Sequence, residues 1–296
     1  MAKDYIGAFS TAMAAIALWV DSQGAPTKSG SRAVDPALTI VYATGKNEGS
    51  FSSAQPNISK STGTSRDGLS YGLIQWTQSS GSLGKVLSAM QAADPTTFAK
   101  VLGPSWKSVI QVATDSRDGN VSRTVDGAAL WQEPWVSRLR TLGGYPSMQK
   151  AQLEVAKKGE YMQAALAAAA ALGLPPTTRT IGVLFDRAVQ QGAPSVRSAA
   201  KRLAEDLEES SDTGDTGAGE LEPQELLRAL LDKITSKFRR KSPPDPGDKN
   251  AKSWRQVGNE WHLFHSTGAD LYLNTRGRIE KMLANPTLDD VTLVRA

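Results

Sequence analysis

The sequence predicts a mainly α fold with one small loop or hairpin region near residue 60, and three observations carry that prediction. Ile181, Leu184, Phe185, Ala188 and Val189 recur at the three- and four-residue steps that gather apolar side chains on one face of a helix. Residues 151–172 are rich in alanine, the best helix former, and stop at Gly173 and the pair Pro175-Pro176. Residues 49–67 depart from this habit, being dense in Ser, Thr, Gly, Asn and Pro.

Taken in order, Ile6, Phe9, Met13, Ile16 and Val20 predict an amphipathic first helix within an N-terminal segment, residues 1–35, of helix and linker. A secretion signal is the competing reading. Only Lys3 supplies positive charge before the apolar run, Asp4 opposes it, and the run is too short to span a bilayer. Asp35-Pro36 is a helix start, a capping aspartate with proline at the first helical position. The apolar run that follows loosens at Gly45, just before Glu48. Beyond the polar stretch, Leu83, Val86, Leu87 and Met90 restore a helix, and the helix through Phe185 closes at Gly192. Residues 205–222 hold eight acidic residues among Ser, Thr and Gly, the composition of a flexible insertion. Leu227, Leu230, Leu231 and Ile234 mark another helix. Residues 242–250 read as a linker, and residues 270–283 as a last helix with Ile279, Met282 and Leu283 inward. Residues 36–296 are expected to form one domain.

The bulk properties narrow the chemistry. With no cysteine there is no disulfide, thiolate metal site or cysteine nucleophile. His262 and His265 stand three apart with no third ligand, so they are expected at a surface or helix end rather than on zinc. Asp115, Asp118 and Asn120 lack the spacing and closing glutamate of a calcium loop and read as a surface turn. No metal and no cofactor is expected. The net charge of +4 suits a polyanionic partner. Its basic residues are scattered apart from Lys237, Arg239, Arg240 and Lys241, which read as a solvated helix end. Neither a nucleic-acid partner nor a membrane span is expected.

Two carboxylates flank the polar stretch. Glu48 follows an apolar helix and precedes Gly49, so its carboxyl can project from a helix end, with Phe51 to supply apolar surroundings. Asp67 lies beyond the loop, before the apolar segment of residues 69–76. A carboxylic acid kept protonated by an apolar setting, opposed by a second carboxylate, is what cleavage of a glycosidic bond requires. With 30 acidic residues in the chain, two solvated carboxylates beside a loop remain the plain alternative.

Asn47-Glu48-Gly49-Ser50-Phe51 resembles the glutamate motif at a helix end in lysozyme-like enzymes. Residues 70–77 (Ser-Tyr-Gly-Leu-Ile-Gln-Trp-Thr), with Gly81-Ser82-Leu83, are similar to the segment after the second carboxylate in chitosanases of glycoside hydrolase family 46. Residues 70–75 also resemble a motif of lytic transglycosylases and goose-type lysozymes. Residues 182–192 and 276–289 resemble the chitosanase helix bearing an aspartate and the closing helix. This resemblance implies a lysozyme-like, two-lobed helical fold with the hairpin region near an active-site cleft. It implies an inverting hydrolase in which Glu48 protonates the glycosidic oxygen and Asp67, helped by Ser70, activates a water. Carboxyls in such enzymes stand roughly 6.5–9.5 Å apart. The spacing from Asp67 to Ser70 is shorter than in the chitosanases. Gln75 and Thr77 would then meet sugar hydroxyls, and Tyr71 and Trp76 would stack on sugar rings; turn contacts and core packing are the competing roles. Asp186 is expected in a buried ion pair with an arginine.

The expected substrate is an amino-sugar polymer, foremost bacterial peptidoglycan cleaved in the muramidase manner. Chitosan hydrolysis and lytic transglycosylation are the alternatives within the class. A non-catalytic glycan binder, or a structural part of a phage or injection particle, is the alternative outside it. Lacking a clear signal peptide, the chain is expected to be made in the cytoplasm and to act in the periplasm or cell wall after delivery. An endolysin or antibacterial effector would do so, with an immunity protein or a secretion or phage component as possible partners.

Overall fold

A computed structural model describes residues 35–58, 65–115, 120–212, 221–245, 247–248, 250–265 and 268–288. The expected helix within residues 1–35 lies outside the described residues, as do Asp118 and residues 213–220 of the acidic stretch. The chain is mainly helical, as its periodicity predicts, and it divides into two compact units. One holds residues 35–38 and 51–153, the other residues 39–50 and 154–288. In the chain, the division falls inside α1 (Pro36–Glu48) and inside α6 (Pro146–Lys158). Among the described residues no helix is long and apolar enough to cross a membrane.

In the first unit the polar stretch folds as a hairpin. Strands β1 (Ala54–Ile58), β2 (Ser65–Tyr71) and β3 (Trp76–Thr77) form an antiparallel sheet in that order, pairing Ala54 with Tyr71, Gln55 with Ser70, and Ser70 with Thr77. The register shifts within β2, where Pro56 faces Leu69 but Ile58 faces Ser65. Gly68 sits in that shift with φ +70°, and a Cβ there would meet Gln78 Oε1 at 2.4 Å. Only glycine suits both the left-handed backbone and the close approach.

Helices α2 (Ser82–Ala93), α3 (Pro95–Leu102) and α4 (Trp106–Thr114) pack on one another, and α5 (Trp135–Gly143) packs on α3 and β1. Asp94 caps α3 by accepting from Thr97 N at 3.0 Å, with Pro95 at the first helical position. Between α4 and α5, β4 (Thr124–Val125) and β5 (Ala128–Ala129) form a small hairpin. Leu83, Val86, Leu87, Met90, Phe98, Leu102 and Trp135 are fully buried in this core.

The second unit is built around α8 (Thr178–Gln191), which packs on α7 (Glu160–Ala171), α9 (Ala193–Asp212) and α11 (Leu271–Leu283). Ile181, Val183, Leu184, Phe185 and Ala188 are all without exposure, so α8 is buried almost all round. Helix α10 (Pro223–Thr235) packs on α9 and α11. A three-stranded sheet follows, β6 (Arg239–Arg240), β7 (Trp254–Val257) and β8 (Glu260–Leu263), in the order β6-β8-β7.

Four expectations are corrected here. The alanine-rich stretch is two helices, α6 and α7, because Gly159 turns extended between them and a Cβ on it would strike Val155 O at 2.7 Å. The acidic stretch is not loop from its start, since α9 runs to Asp212 and Lys201 pairs with Glu205 one turn on. Arg239 and Arg240 are not a solvated helix end. They form β6, with Arg239 over the Tyr272 ring and Arg240 over the Trp254 ring at 4.9 and 4.2 Å. His262 is 5% exposed in β8, its Nδ1 2.7 Å from Asp270 Oδ2, rather than at a surface.

Candidate active site

Glu48 is the last residue of α1, where the helix dipole and the unpaired carbonyls oppose a negative charge. Burial pushes its carboxyl above the ordinary glutamate range, and the nearby Asp186 adds to the rise. Arg278 works against both, by its charge and by a hydrogen bond. The side chain is 13% exposed, and among the described residues only Oε1 is held: it accepts from Arg278 Nη2 and from Gln190 Nε2. No hydrogen bond from a described residue reaches Oε2.

Arg278 is placed by Asp186. Its Nε lies 2.9 Å from Asp186 Oδ2 and its Nη2 2.6 Å from Oδ1, a two-pronged grip that fixes the guanidinium plane. Asp186 in turn accepts from Arg187 Nη2, and neither residue of that pair is more than 1% exposed. Glu48, Arg278, Asp186 and Arg187 thus alternate in sign along one chain of contacts. The buried ion pair expected of Asp186 is present, with two arginines rather than one.

Gln190 and Arg278 received no role from the sequence, yet a signal for the first existed. Asp186 and Gln190 are one helical turn apart on α8, so they share a face of an otherwise apolar helix. Arg278 stands 92 positions from Asp186, and no local pattern joins them.

The segment of residues 67–77 is a site of a different kind, in the first unit. Asp67 lies in the shifted part of β2 with an exposed side chain, and its carbonyl accepts from Ser79 N. Ser70 is buried, and its Oγ accepts from Asn57 Nδ2 at 2.6 Å, which ties β2 to β1. At 6% exposure, Ser70 offers little open surface for the water it is expected to hold. Tyr71 is without exposure and Trp76 is 5% exposed, so both aromatics are core, not stacking platforms. Among the described residues the Tyr71 hydroxyl meets no hydrogen-bond partner, and burial pushes its pKa up. Gln75, half-buried at φ +55°, donates from Nε2 to Gly72 O at 2.8 Å. Thr77 Oγ1 lies 2.7 Å from Ser80 Oγ. These are turn contacts, the competing role for both residues. Gln152, fully buried, holds the turn from behind by accepting from Leu73 N and donating to Phe51 O at 3.0 and 2.9 Å.

Among the described residues no cluster of three or more metal-ligating side chains occurs. Asp115 pairs with Arg123 at 2.5 Å.

No protein-family model matches the chain, and no curated protein matches it. Among solved structures it is similar to a glycoside hydrolase family 46 chitosanase of Gynuella sunshinyii in complex with chitotetraose. The identity is 14%, over 91% of this chain and all of that one, with a TM-score of 0.49. Two chitosanase structures from Bacillus subtilis MY002, a variant complexed with six GlcN units and the native enzyme, are each 15% identical. Both similarities span 84% of this chain and 83% of theirs, with TM-scores of 0.43 and 0.45.

Proposed function

We propose that this chain is a glycoside hydrolase of an amino-sugar polymer and that Glu48 is its general acid. One observation carries the reading: a carboxyl raised by burial and clamped at Oε1 by Arg278 and Gln190, with no described residue bonded to Oε2. A general acid must hold its proton until the glycosidic oxygen arrives and then tolerate the charge that remains. Burial serves the first need and Arg278 the second. As the C–O bond breaks, the proton on Oε2 passes to the leaving oxygen, and Glu48 becomes a carboxylate facing a guanidinium.

Asp67 is proposed as the base, on its motif and its exposed carboxylate. It takes a proton from water as the remaining hydroxyl bonds to the anomeric carbon, which inverts that centre. Peptidoglycan is the proposed substrate, supported by the net charge of +4, which favours an anionic wall polymer. The burial of Ser70 favours a second reading, lytic transglycosylation, in which Glu48 acts without an activated water.

Purified protein incubated with peptidoglycan sacculi and with chitosan, followed by mass spectrometry of the soluble fragments, separates these readings. Reducing ends at muramic acid support hydrolysis and anhydro ends support transglycosylation. Glucosamine oligomers move the substrate to chitosan. Release of nothing from either polymer, or equal release by the Glu48→Gln variant, overturns the assignment.

A further inference from the structure

Helices α9 and α10 and the turn after α10 line an open pocket of about 320 Å³ in the second unit, and it shares no residue with the Glu48 cluster. Ser195 and Arg202, seven apart on α9, share one helix face, while Lys233 comes from the last turn of α10 and Lys237 from the turn that follows it. The buried side chains of Ala199 and Ile234 lie between these polar groups.

The charges in this cavity do not balance. Lys233 is neutralised by Asp206. Lys237 and Arg202 meet no carboxylate among the described residues. Lys237 is exposed as a residue, but its ammonium donates to Ser195 Oγ at 3.0 Å, and partial burial holds its pKa below the ordinary lysine range. A hydroxyl partner carries no opposite charge, so this ammonium can still take an anion.

We propose that the cavity binds a terminal phosphate group. Arg202, Lys237, the hydroxyl of Ser195 and the Lys233 ammonium, which also meets Asp206, present four donor groups around one space, while the Ser236 hydroxyl donates to Lys233 O. A carboxylate has two oxygens to offer them, whereas a terminal phosphate has three and a charge near −2 that matches the two uncompensated cations. At roughly 30 Å³ per water, the space also admits a small organic body beside the phosphate. This site goes beyond the proposed glycan cleavage and does not depend on it.

Isothermal titration calorimetry on the full chain tests it, using inorganic phosphate, glucose 6-phosphate and acetate at matched ionic strength. One saturable phosphate site is expected, with acetate weaker. Tighter binding of glucose 6-phosphate would show that the organic body is recognised, and equal binding that phosphate alone is read; either result supports the site. Lys237→Gln and Arg202→Gln should each weaken binding by about tenfold, the loss of one charge-assisted hydrogen bond. The Lys85→Gln variant, at an exposed cation of α2, should bind as the parent does. Both cavity residues are exposed, so their variants should keep the parent's melting curve, and if one does not fold the other decides. Phosphate heats no greater than those of matched chloride, acetate binding as tight as phosphate, or unchanged binding in both variants would overturn the proposal.

Discussion

Glu48 and Asp67 both stand beside a glycine at the edge of the same polar stretch, and the structure gives them opposite settings. Glu48 ends a helix, is nearly closed off from water, and shares one oxygen between Arg278 and Gln190. Asp67 lies in the shifted part of a strand with its side chain in solvent. Burial raises the first carboxyl, and Arg278 is placed to receive its charge. The contrast shows that residue type and neighbouring sequence nominate a carboxylate, whereas desolvation and distant partners decide what it can do.

The strongest way to break the comparison is Glu48→Gln. It should lower glycan release by about 10²–10⁴-fold, the range for removing a general acid, with the melting curve retained. Asp186→Ala should act on stability. It leaves Arg187, 1% exposed, as a buried cation without its carboxylate, and urea unfolding should show a loss of about 3–5 kcal/mol. Asp67→Asn sharpens the other half. Activity should fall by about 10²-fold if Asp67 is the base, and retained activity with anhydro products would assign the chemistry to Glu48 alone.

The pH dependence carries a sign. Because the folded pKa of Glu48 is raised, its contribution to stability is fully present below the unfolded pKa and is lost as pH rises through the folded one. Urea unfolding across that window should show the parent losing stability relative to Glu48→Gln, with the difference constant above it. Activity should have a basic limb above the ordinary glutamate range. Arg278→Gln should move that limb further up, since it removes the group that lowers Glu48. A limb that moved down would break the electrostatic account. The smallest effect is expected of Gln190→Ala, less than about tenfold on activity, since a neutral donor is lost while Arg278 keeps its hold.

Legibility varied along the chain for physical reasons. Helix α8 was readable because its apolar residues repeat with the helical period, and the helix start at Asp35-Pro36 because capping is local. The break at Gly159 was not, since a glycine inside an alanine run is compatible with a continuous helix until the carbonyl of Val155 is seen beside it. The acidic end of α9 was misread because composition was counted without the one-turn pairing of Lys201 with Glu205. Tyr71 and Trp76 were assigned to a sugar surface because an aromatic residue carries no mark of the side it faces. The shift at Gly68 also resets the alternation that would have told inside from outside.

By itself the sequence determined helices α1, α2, α8, α10 and α11, the place of Glu48 at a helix end and the oddity of an aspartate on an apolar helix. Each follows from hydrogen bonds and side-chain spacing that reach no more than three or four residues. Only the tertiary structure decided that Arg278 joins Glu48 to Asp186, that Gln190 and Arg278 share one Glu48 oxygen, and that Tyr71 and Trp76 turn inward. Those outcomes depend on burial and Coulomb interactions summed over residues up to 230 positions apart, and no local pattern encodes such a sum.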